Sequence, residues 1–366
     1  MANNWRLIVD RNSYADFSVS VSPAVERAVV EGRSPPTVYL NIFDSDSVTI
    51  GFNEDPEQTL DLEVCASECI HFRRRPNGGG PVYAGSGSAF LVYFVPTNHP
   101  RVPNTSAEAF PEILTALARI LEERYGFPAE YRPLNDIEVQ GRKLIPTSLK
   151  IENGVMTFRI VVNVKPIDTE LAGKIMPMPP EKVADKELKD LTSRFTCLER
   201  ECGRSFTEGE LEALTCEAVG ITFGERLEPG HLTKLEGQYA DEFRGTYESE
   251  AWLFAKSERS LLGPILKPGD TVGYGRSKAV GGLIRATIAL RGDRIVAAIL
   301  NGDWHPRPLN SVEFLERELL GIKAIRSDIE KKVGHFLQRE GIEFAGVGTE
   351  DLMKAIEIAL ETQKKR

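Results

Sequence analysis

The sequence reads Arg73-Arg74-Arg75-Pro76-Asn77-Gly78-Gly79-Gly80-Pro81-Val82-Tyr83, and a strongly apolar run follows over residues 89–95. The apolar run predicts a buried strand. Because glycine lacks a Cβ, backbone amides in the loop can approach a ligand closely. Successive amides form a concave anion site, and adjacent guanidinium groups add bidentate donors. The pattern favours a loop that binds a carboxylate or phosphate, and the alternative is a basic surface turn before a strand.

The loop differs from the common nucleotide-binding glycine motifs. No Gly-Lys-Ser/Thr follows it, and a strand comes where a Walker phosphate loop requires a helix. Two other glycine pairs, Gly85-Ser86-Gly87 and Gly273-Tyr274-Gly275, lack the third glycine and the strand-to-helix context of a dinucleotide fingerprint.

Composition predicts a soluble, intracellular protein of two domains. The chain has 366 residues, of which 41% are hydrophobic and 27% charged, and each domain can bury a core of its own. A net charge of −9 argues against a nucleic-acid coat protein. The sequence contains no run of about 18 apolar residues, so no membrane span is predicted. The first six residues do not resemble a secretion signal, so we expect a cytoplasmic location.

The cysteines predict neither a disulfide framework nor a zinc site. Their number is odd and no CxxC occurs. Cys65 and Cys69 stand four apart, but the sequence lacks the second pair of ligands, with histidines, that a zinc site would need. We therefore expect packed or unreactive thiols. The five positions are Cys65, Cys69, Cys197, Cys202 and Cys216.

Periodicity and turn signals predict alternating strands and helices. Helices are expected from Ser22-Pro23 to Gly32 and over residues 104–125, 182–191, 208–219 and 232–243. Residues 38–43 and 47–52 are expected to form a hairpin, and so are residues 143–151 and 155–164 around Asn153-Gly154. Pro146 predicts an edge strand or a bulge, and residues 166–180 predict a loop. After residues 245–257 a second unit is expected, with a hairpin around Arg291-Gly292-Asp293 and helices over residues 310–320, 325–339 and 350–362.

Lys143 is the ionisable residue that most suggests chemistry. A tight turn at Gln140-Gly141 is expected to return it on a strand, where its ammonium can neutralise a phosphate or a developing oxyanion. A solvated strand lysine is the alternative, and Lys150 on the same strand competes for the role. Asn135 and Asp136 are candidates for ligand or metal contact, although Asn-Asp also starts turns. None of the five histidines lies in a serine- or cysteine-centred catalytic signature.

Three segments in chain order resemble lipoate–protein ligases. The stretch from Arg74 to Val82 is similar to the family motif Arg-Arg-x-Ser-Gly-Gly-Gly-Ala-Val. Asn135-Asp136 with Gly141-Arg142-Lys143 resembles the family's Asn-Asp…Gly-x-Lys. Leu191-Thr192-Ser193-Arg194-Phe195-Thr196-Cys197-Leu198 resembles the family's Ser-Arg-Val-Thr-x-Leu. Further along, Gly281-Gly282-Leu283-Ile284 through Asn301-Gly302-Asp303 and Leu320-Gly321 resembles the accessory domain.

The resemblance implies an α+β fold of the biotin/lipoate-ligase type, with mixed, mainly antiparallel sheets. It places a catalytic domain at residues 1–248 and a small α+β accessory domain at 258–366. It implies activation of lipoate by ATP, with Mg²⁺, to lipoyl-AMP, and transfer to a lysine of a lipoyl-domain acceptor. We expect a monomer with no membrane or nucleic-acid partner. Lys143 would be the catalytic residue, and the ligands would contact Arg74, Asn77, Gly78, Gly79, Gly80, Val82, Asn135 and Asp136.

The sequence departs from the family pattern around the acyl site. Ile145-Pro146-Thr147-Ser148 replaces Ser-Gly-Ser-Ala, Thr157-Phe158 replaces His-Gly, Ala84-Gly85 replaces His-Asp, and Ser88 replaces asparagine. Two alternatives therefore stand beside the ligase: a non-catalytic binder of lipoate or lipoyl-AMP, and a ligase for another acid such as biotin or octanoate. Residues 131–139 contain no cysteine, which disfavours the thioester mechanism of the related transferases.

Overall fold

The structure is a computed structural model that describes residues 5–133, 135–177 and 194–365. The chain forms two compact units, and both are discontinuous in sequence. The first unit comprises Met1–Val48, Tyr83–Ala172 and Leu188–Tyr247, and the second comprises Thr49–Val82, Gly173–Glu187 and Glu248–Arg366. The predicted domain limits, 1–248 and 258–366, stay a proposal. The predicted helix 182–191 and residues 191–193 of the third motif lie outside the described residues.

The elements are numbered in chain order. The strands are β1 Trp5–Arg11, β2 Thr37–Ile42, β3 Ser47–Ile50, β4 His71–Arg74, β5 Val82–Ala84, β6 Ala89–Pro96, β7 Ala129–Arg132, β8 Asp136–Val139, β9 Arg142–Glu152, β10 Val155–Val162, β11 Leu227–Gly230, β12 Thr271–Ala279, β13 Gly282–Arg291, β14 Arg294–Gly302, β15 Pro306–Arg307, β16 Glu343–Phe344 and β17 Lys364–Lys365. The helices are α1 Tyr14–Asp16, a π-helix Phe17–Val21, α2 Ser22–Val30, α3 Pro56–Thr59, α4 Leu62–Ser67, α5 Ser106–Tyr125, α6 Thr169–Ile175, α7 Leu198–Cys202, α8 Glu208–Phe223, α9 Lys234–Tyr247, α10 Glu250–Leu253, α11 Glu258–Leu262, α12 Ser311–Leu319, α13 Arg326–Leu337 and α14 Thr349–Glu361.

The first unit is built on a mixed sheet in the order β11-β1-β2-β6-β10-β9-β8-β7. β1 pairs in parallel with β2 and β11, and the remaining pairs are antiparallel. Alternate side chains of each central strand point to opposite faces, and both faces are apolar. One face packs against α5 and α8, and the other packs against the π-helix and α2. The predicted α+β class is thereby confirmed.

The turns at Gln140-Gly141 and Asn153-Gly154 set the register of β8, β9 and β10. In each turn both residues have positive φ, at 51° and 76° for the first and 52° and 74° for the second. Two consecutive positive φ values match the right-handed twist of a two-residue hairpin. Both predicted turns are confirmed. β9 is an interior strand, paired with β8 and β10, so the edge alternative is wrong for the strand as a whole. Pro146 pairs only with Asp136 of β8, because the ladder to β10 ends at Thr147. A register shift opposite Ile137/Glu138, which leaves Leu144 unpaired with β8, agrees with the bulge alternative.

Two predictions from local patterns are wrong. β2 and β3 do not form a hairpin, because β1 and β6 occupy both edges of β2, and β3 instead joins a sheet in the order β4-β3-β5. The predicted loop 166–180 contains α6, whose first turn is capped by the Asp168 carboxylate, which accepts from the Leu171 amide at 2.9 Å. A short polar cap therefore outweighed the surrounding prolines.

The second unit contains a sheet in the order β14-β13-β12-β17, covered by α12, α13 and α14 over a continuous apolar core. The hairpin around Gly292 and all three helices were predicted, and the structure confirms them. Gly273 and Gly275 lie where α14 approaches β12. A Cβ on either would lie 1.8 Å from the carbonyl oxygen of Ala359 or Ala355. Close helix packing therefore explains the Gly-Tyr-Gly sequence without a nucleotide.

Buried charged side chains make several contacts within the second unit, and one of them holds residues 49–82 to the C-terminal segment. The Arg285 guanidinium pairs with the Glu54 carboxylate at 2.7 Å, and both side chains are buried. Lys256, also buried, pairs with Glu313 at 2.8 Å. Glu316 on α12 accepts from the Leu300 amide at 2.7 Å, and burial raises its pKa to about 7. The nearby Lys256 only partly offsets that burial.

Glu316→Gln is expected to remove a pH dependence of folding. The ordinary pKa of this carboxyl is 4.5 and the folded value is about 7. The folded state thus binds more protons in this window, and wild-type stability falls as pH rises from 4.5 to 7. Glutamine keeps the acceptor for Leu300 and does not titrate. The variant should match wild type near pH 4 and exceed it by about 2 kcal/mol above pH 7, after allowance for partial exposure.

Urea unfolding at pH 4, 5.5, 7 and 8 measures the difference, and Glu318→Gln on the same helix is the control. A constant difference between variant and wild type across the four pH values would contradict the assignment.

Candidate active site

The glycine loop follows β4, and three of its carbonyl oxygens accept hydrogen bonds, whereas the amides of its three glycines do not donate within the described residues. The carbonyls of Gly78 and Gly80 each accept from Arg75 Nη2 at 2.8 Å, and the Asn77 carbonyl accepts from the Phe52 amide at 2.8 Å. The amides of Gly78, Gly79 and Gly80 donate to nothing within the described chain. The loop thus presents three successive N–H groups, which is the arrangement that binds an anion.

Close packing fixes the conformation of this loop. Gly79 has φ 93°, in the region that favours glycine, and its carbonyl lies 1.9 Å from the place of a Cβ on Gly51. A Cβ on Gly78 would lie 2.9 Å from His305 Nδ1. Burial and, second, the charge of Arg75 lower the pKa of His305 from its ordinary value. Any side chain at these glycines requires the loop to shift.

Arg74 and Arg75 are adjacent in sequence but have different environments. Arg74 is completely buried, and its guanidinium donates to the carbonyls of Phe52 and Glu54 at 2.6 Å each and of Leu253 at 2.9 Å. Burial lowers its pKa to about 10. These contacts give Arg74 a positioning role, and its predicted contact with the adenylate stays a prediction. Arg75, which was not among the predicted site residues, holds the loop itself.

Lys143 lies at the start of β9 in the first unit. Its ammonium is 2.7 Å from Asp136 Oδ2, and its side chain is 34% exposed. Its backbone is clamped on the other edge, because its amide donates to the Arg194 carbonyl and its carbonyl accepts from the Thr196 amide, both at 2.9 Å. The described part of the third motif, which includes Arg194 and Thr196, therefore holds the strand that carries the lysine.

Asp136 and Asn135 have different neighbours. Asp136 Oδ1 is buried and accepts no hydrogen bond within the described residues, which leaves an acceptor for a ligand or a water molecule. The Asn135 side-chain amide donates to the Thr147 carbonyl at 2.5 Å, and its own carbonyl accepts from the Thr147 hydroxyl at 2.6 Å. Asn135 thus fixes the turn before β8, whereas Asp136 orients Lys143.

Lys150, the competing lysine, has a different partner. It pairs with Glu26, which also pairs with Arg159 at 3.1 Å. Lys143 is therefore the lysine associated with the Asn135-Asp136 motif, and Lys150 belongs to an ion-pair group with α2.

The predicted residues thus form two groups. Lys143, Asn135 and Asp136 lie together in the first unit, whereas the loop residues from Arg74 to Val82 belong to the second. Asn77 and Val82 are the exposed residues of that loop. Within the described ranges, no three His, Cys, Asp or Glu side chains cluster as metal ligands, and no helix is long and apolar enough to cross a membrane.

The chain belongs to the lipoyl protein ligase A/B catalytic-domain family. The family matches residues 17–220, which is more than half of the chain. This span contains the glycine loop, Asn135-Asp136 and Lys143. The protein is therefore an enzyme of the lipoate and octanoate ligase–transferase family, and the resemblance inferred from the motifs is confirmed.

Curated relatives of similar sequence are octanoyltransferases. Octanoyltransferase LipM of Kyrpidia tusciae is 25% identical over 274 residues, covering 69% of this chain and 99% of that protein. The LipM protein of Geobacillus kaustophilus is 24% identical over 279 residues, covering 69% of this chain and 98% of that protein.

Solved structures confirm the fold. P. falciparum LipL1 in complex with lipoate has a TM-score of 0.66 at 12% identity, covering 93% of this chain and 96% of that chain. The bipartite lipoate protein ligase of Thermoplasma acidophilum, solved with its E2 lipoyl domain, has a TM-score of 0.57 at 20% identity, covering 69% of this chain and 96% of that chain. Lipoate-protein ligase A bound with ATP has a TM-score of 0.56 at 18% identity, covering 69% of this chain and 98% of that chain.

Substitution of the two neighbouring arginines is expected to separate folding from anion binding. Arg74→Met leaves several buried carbonyls without donors and should lower the free energy of unfolding by about 3 kcal/mol or more. Arg75→Met releases the loop carbonyls and the contact with Thr49, and should weaken pyrophosphate binding about tenfold with a smaller loss of stability. Urea unfolding and calorimetric titration with pyrophosphate measure the two effects. An Arg74→Met protein of normal stability that fails to bind pyrophosphate would instead favour a direct ligand contact for Arg74.

Proposed function

We propose that this enzyme is an ATP-dependent lipoate–protein ligase of the cytoplasm. It activates lipoate to lipoyl-AMP and transfers the lipoyl group to a lysine of a lipoyl-domain protein. The observation that carries the proposal is the glycine loop, whose three unengaged amides and bound carbonyls suit a phosphate or carboxylate. Anions bind where N–H groups converge.

Both half-reactions develop negative charge that this chain has donors to stabilise. In the first, the lipoate carboxylate attacks the α-phosphate of ATP, and pyrophosphate leaves. In the second, the acceptor amine attacks the lipoyl carbonyl, an amide forms, and AMP leaves. The ammonium of Lys143, oriented by Asp136 at 2.7 Å, is suited to stabilise the phosphoryl and carbonyl oxygens. Mg²⁺ would bind through the ATP phosphates, because it usually keeps few protein ligands.

Coverage is the same for the LipM relatives and for lipoate-protein ligase A bound with ATP, which each match 69% of this chain, whereas the fold of lipoate-bound LipL1 extends further. The LipM relatives match 69% of this chain over almost their whole length, so roughly a third of it has no counterpart in them. The fold of the lipoate-bound LipL1 structure extends over 93% of this chain. By analogy with the E2 lipoyl domain solved with the Thermoplasma ligase, the acceptor is a lipoyl domain.

Lys143→Met is expected to abolish adenylate formation, and Lys150→Met is the matched control on the same strand. Loss of one charge that stabilises a transition state usually lowers the rate about 10²- to 10³-fold, whereas the control should stay within about twofold. Mass spectrometry of lipoyl-AMP and pyrophosphate release measure the rate with lipoate and ATP.

Equal loss in both lysine variants would reject the role of Lys143. Wild-type protein that binds lipoyl-AMP tightly but never modifies a lipoyl domain would identify the non-catalytic binder. Higher kcat/KM with octanoate or biotin than with lipoate would instead identify a ligase for another acid.

An octanoyltransferase is the second candidate, because the sequence relatives carry that name. A thioester mechanism requires a reactive thiolate. Burial raises the pKa of Cys197 and of Cys202, and Cys197 is also inaccessible to solvent. Cys197 nevertheless follows Thr196, which bonds to the Lys143 backbone, and is the thiol to test.

Cys197→Ala is expected to retain ATP-dependent lipoylation within about threefold, since the thiol packs in the core and does not react. Gel-shift detection of the lipoylated acceptor measures the activity, and Cys216→Ala controls for loss of a thiol elsewhere. Octanoyl transfer from an acyl carrier protein without ATP, abolished only in Cys197→Ala, would establish the transferase instead.

A further inference from the structure

Charge is divided unevenly along the chain. Residues 1–257 contain 27 Lys and Arg against 39 Asp and Glu, a net charge of −12. Residues 258–366 contain 18 against 15, a net charge of +3. Such asymmetry within one chain indicates an interaction surface for a charged partner.

The positive excess is concentrated in one cleft of the second unit. The cleft has a volume of about 620 Å³ and lies between the ends of α12 and β14 and one side of α13. The lysine, arginine, aspartate and glutamate side chains that line the cleft have a net charge of +3. This value equals the net charge of the whole segment 258–366. The lining residues are Arg294, Glu318, Gly321, Ile322, Lys323, Asp328, Lys331, Lys332, His335 and Arg339.

The positive charge is only partly neutralised within the protein. Arg339 pairs with Glu318 at 2.5 Å, and Lys323 has a loose contact of 3.6 Å with the exposed Asp293. Across the described residues, neither Lys331 nor Lys332 forms an ion pair. Both are exposed, so their ammonium groups remain available to a partner's carboxylates.

A single small anion would contact only part of the charged row. Lys331, Lys332 and His335 lie on α13, and Arg339 follows two residues after its end. Eight residues of helix rise about 12 Å, so one phosphate or carboxylate reaches only part of the row. An extended or helical segment with several carboxylates matches this length.

Exposed apolar residues flank the cleft-lining residues of one loop in the sequence. The loop 320–325, which contributes Gly321 and Lys323, exposes Leu320 at 45% and Ile325 at 48%. Exposed apolar side chains beside unneutralised charge are typical of a protein-binding surface, because a polyphosphate gains nothing from them.

We propose that this cleft docks an acidic segment of a partner protein, in which carboxylates alternate with apolar residues. Carboxylates contact Lys331, Lys332 and Arg294, and apolar side chains cover Leu320 and Ile325. The cleft thus gives an acidic protein of net charge −9 a local surface that attracts acidic partners. The proposal goes beyond the ligase function, and docking requires neither ATP nor lipoate.

A fluorescein-labelled peptide of alternating Glu and Leu tests the docking with the full-length protein. Fluorescence anisotropy at 20 mM NaCl should show saturable binding, weakened at least tenfold at 300 mM NaCl. A Gln-Leu peptide of the same length should not bind. Lys331→Glu with Lys332→Glu should weaken binding at least tenfold, because each reversal replaces an attraction by a repulsion.

Lys278→Glu with Lys354→Glu is the matched control, since both lysines are exposed in the same unit and lie outside the cleft. The control should bind within twofold of wild type. Equal loss in both double variants, or equal binding of the Gln-Leu peptide, would overturn the proposal. Absence of binding at 20 mM NaCl would also overturn it. So would tighter binding of a single-stranded oligonucleotide of equal charge, which would indicate a nucleic-acid site.

Discussion

The buried guanidinium of Arg74 is the contact on which the second unit depends. It donates to the carbonyls of Phe52 and Glu54 and also to that of Leu253. Because Arg74 is the last residue of β4, these bonds also fix the point at which the glycine loop begins. A buried charge is tolerated only when its donors are satisfied, so these carbonyls have little freedom to move. Arg75, the next residue, then orients the loop carbonyls inward and leaves the amides available.

Different side chains fix the backbone of the candidate site and are proposed to contact its ligand. Arg74 and Asn135 engage backbone carbonyls and fix the elements on which the site is built. In the proposed reaction, the loop amides and Lys143 would donate to the negative charge of the ligand. Sites on rigid elements lose less free energy to reorganisation during the reaction.

The sequence predicted the tight turns better than it predicted the pairing of the strands. Turn chemistry at Gln140-Gly141 and Asn153-Gly154 is local, so the position of Lys143 on β9 followed from it. Arg74 and Arg75 are chemically identical in the sequence, and only the contact with Leu253, far along the chain, distinguishes them. The hairpin expected between β2 and β3 failed for the same reason, since edges of β2 were taken by β1 and β6.

The composition of the second unit has a consequence for synthesis on the ribosome. Its first segment ends at Val82 and its main part begins at Glu248, so about 165 residues must be translated between them. At typical rates of translation this delay lasts roughly 10 to 30 s. During that interval Arg74 is already part of the nascent chain, whereas Leu253, whose carbonyl accepts from it in the folded protein, has not yet been synthesised. We therefore expect this segment to bind a chaperone during synthesis.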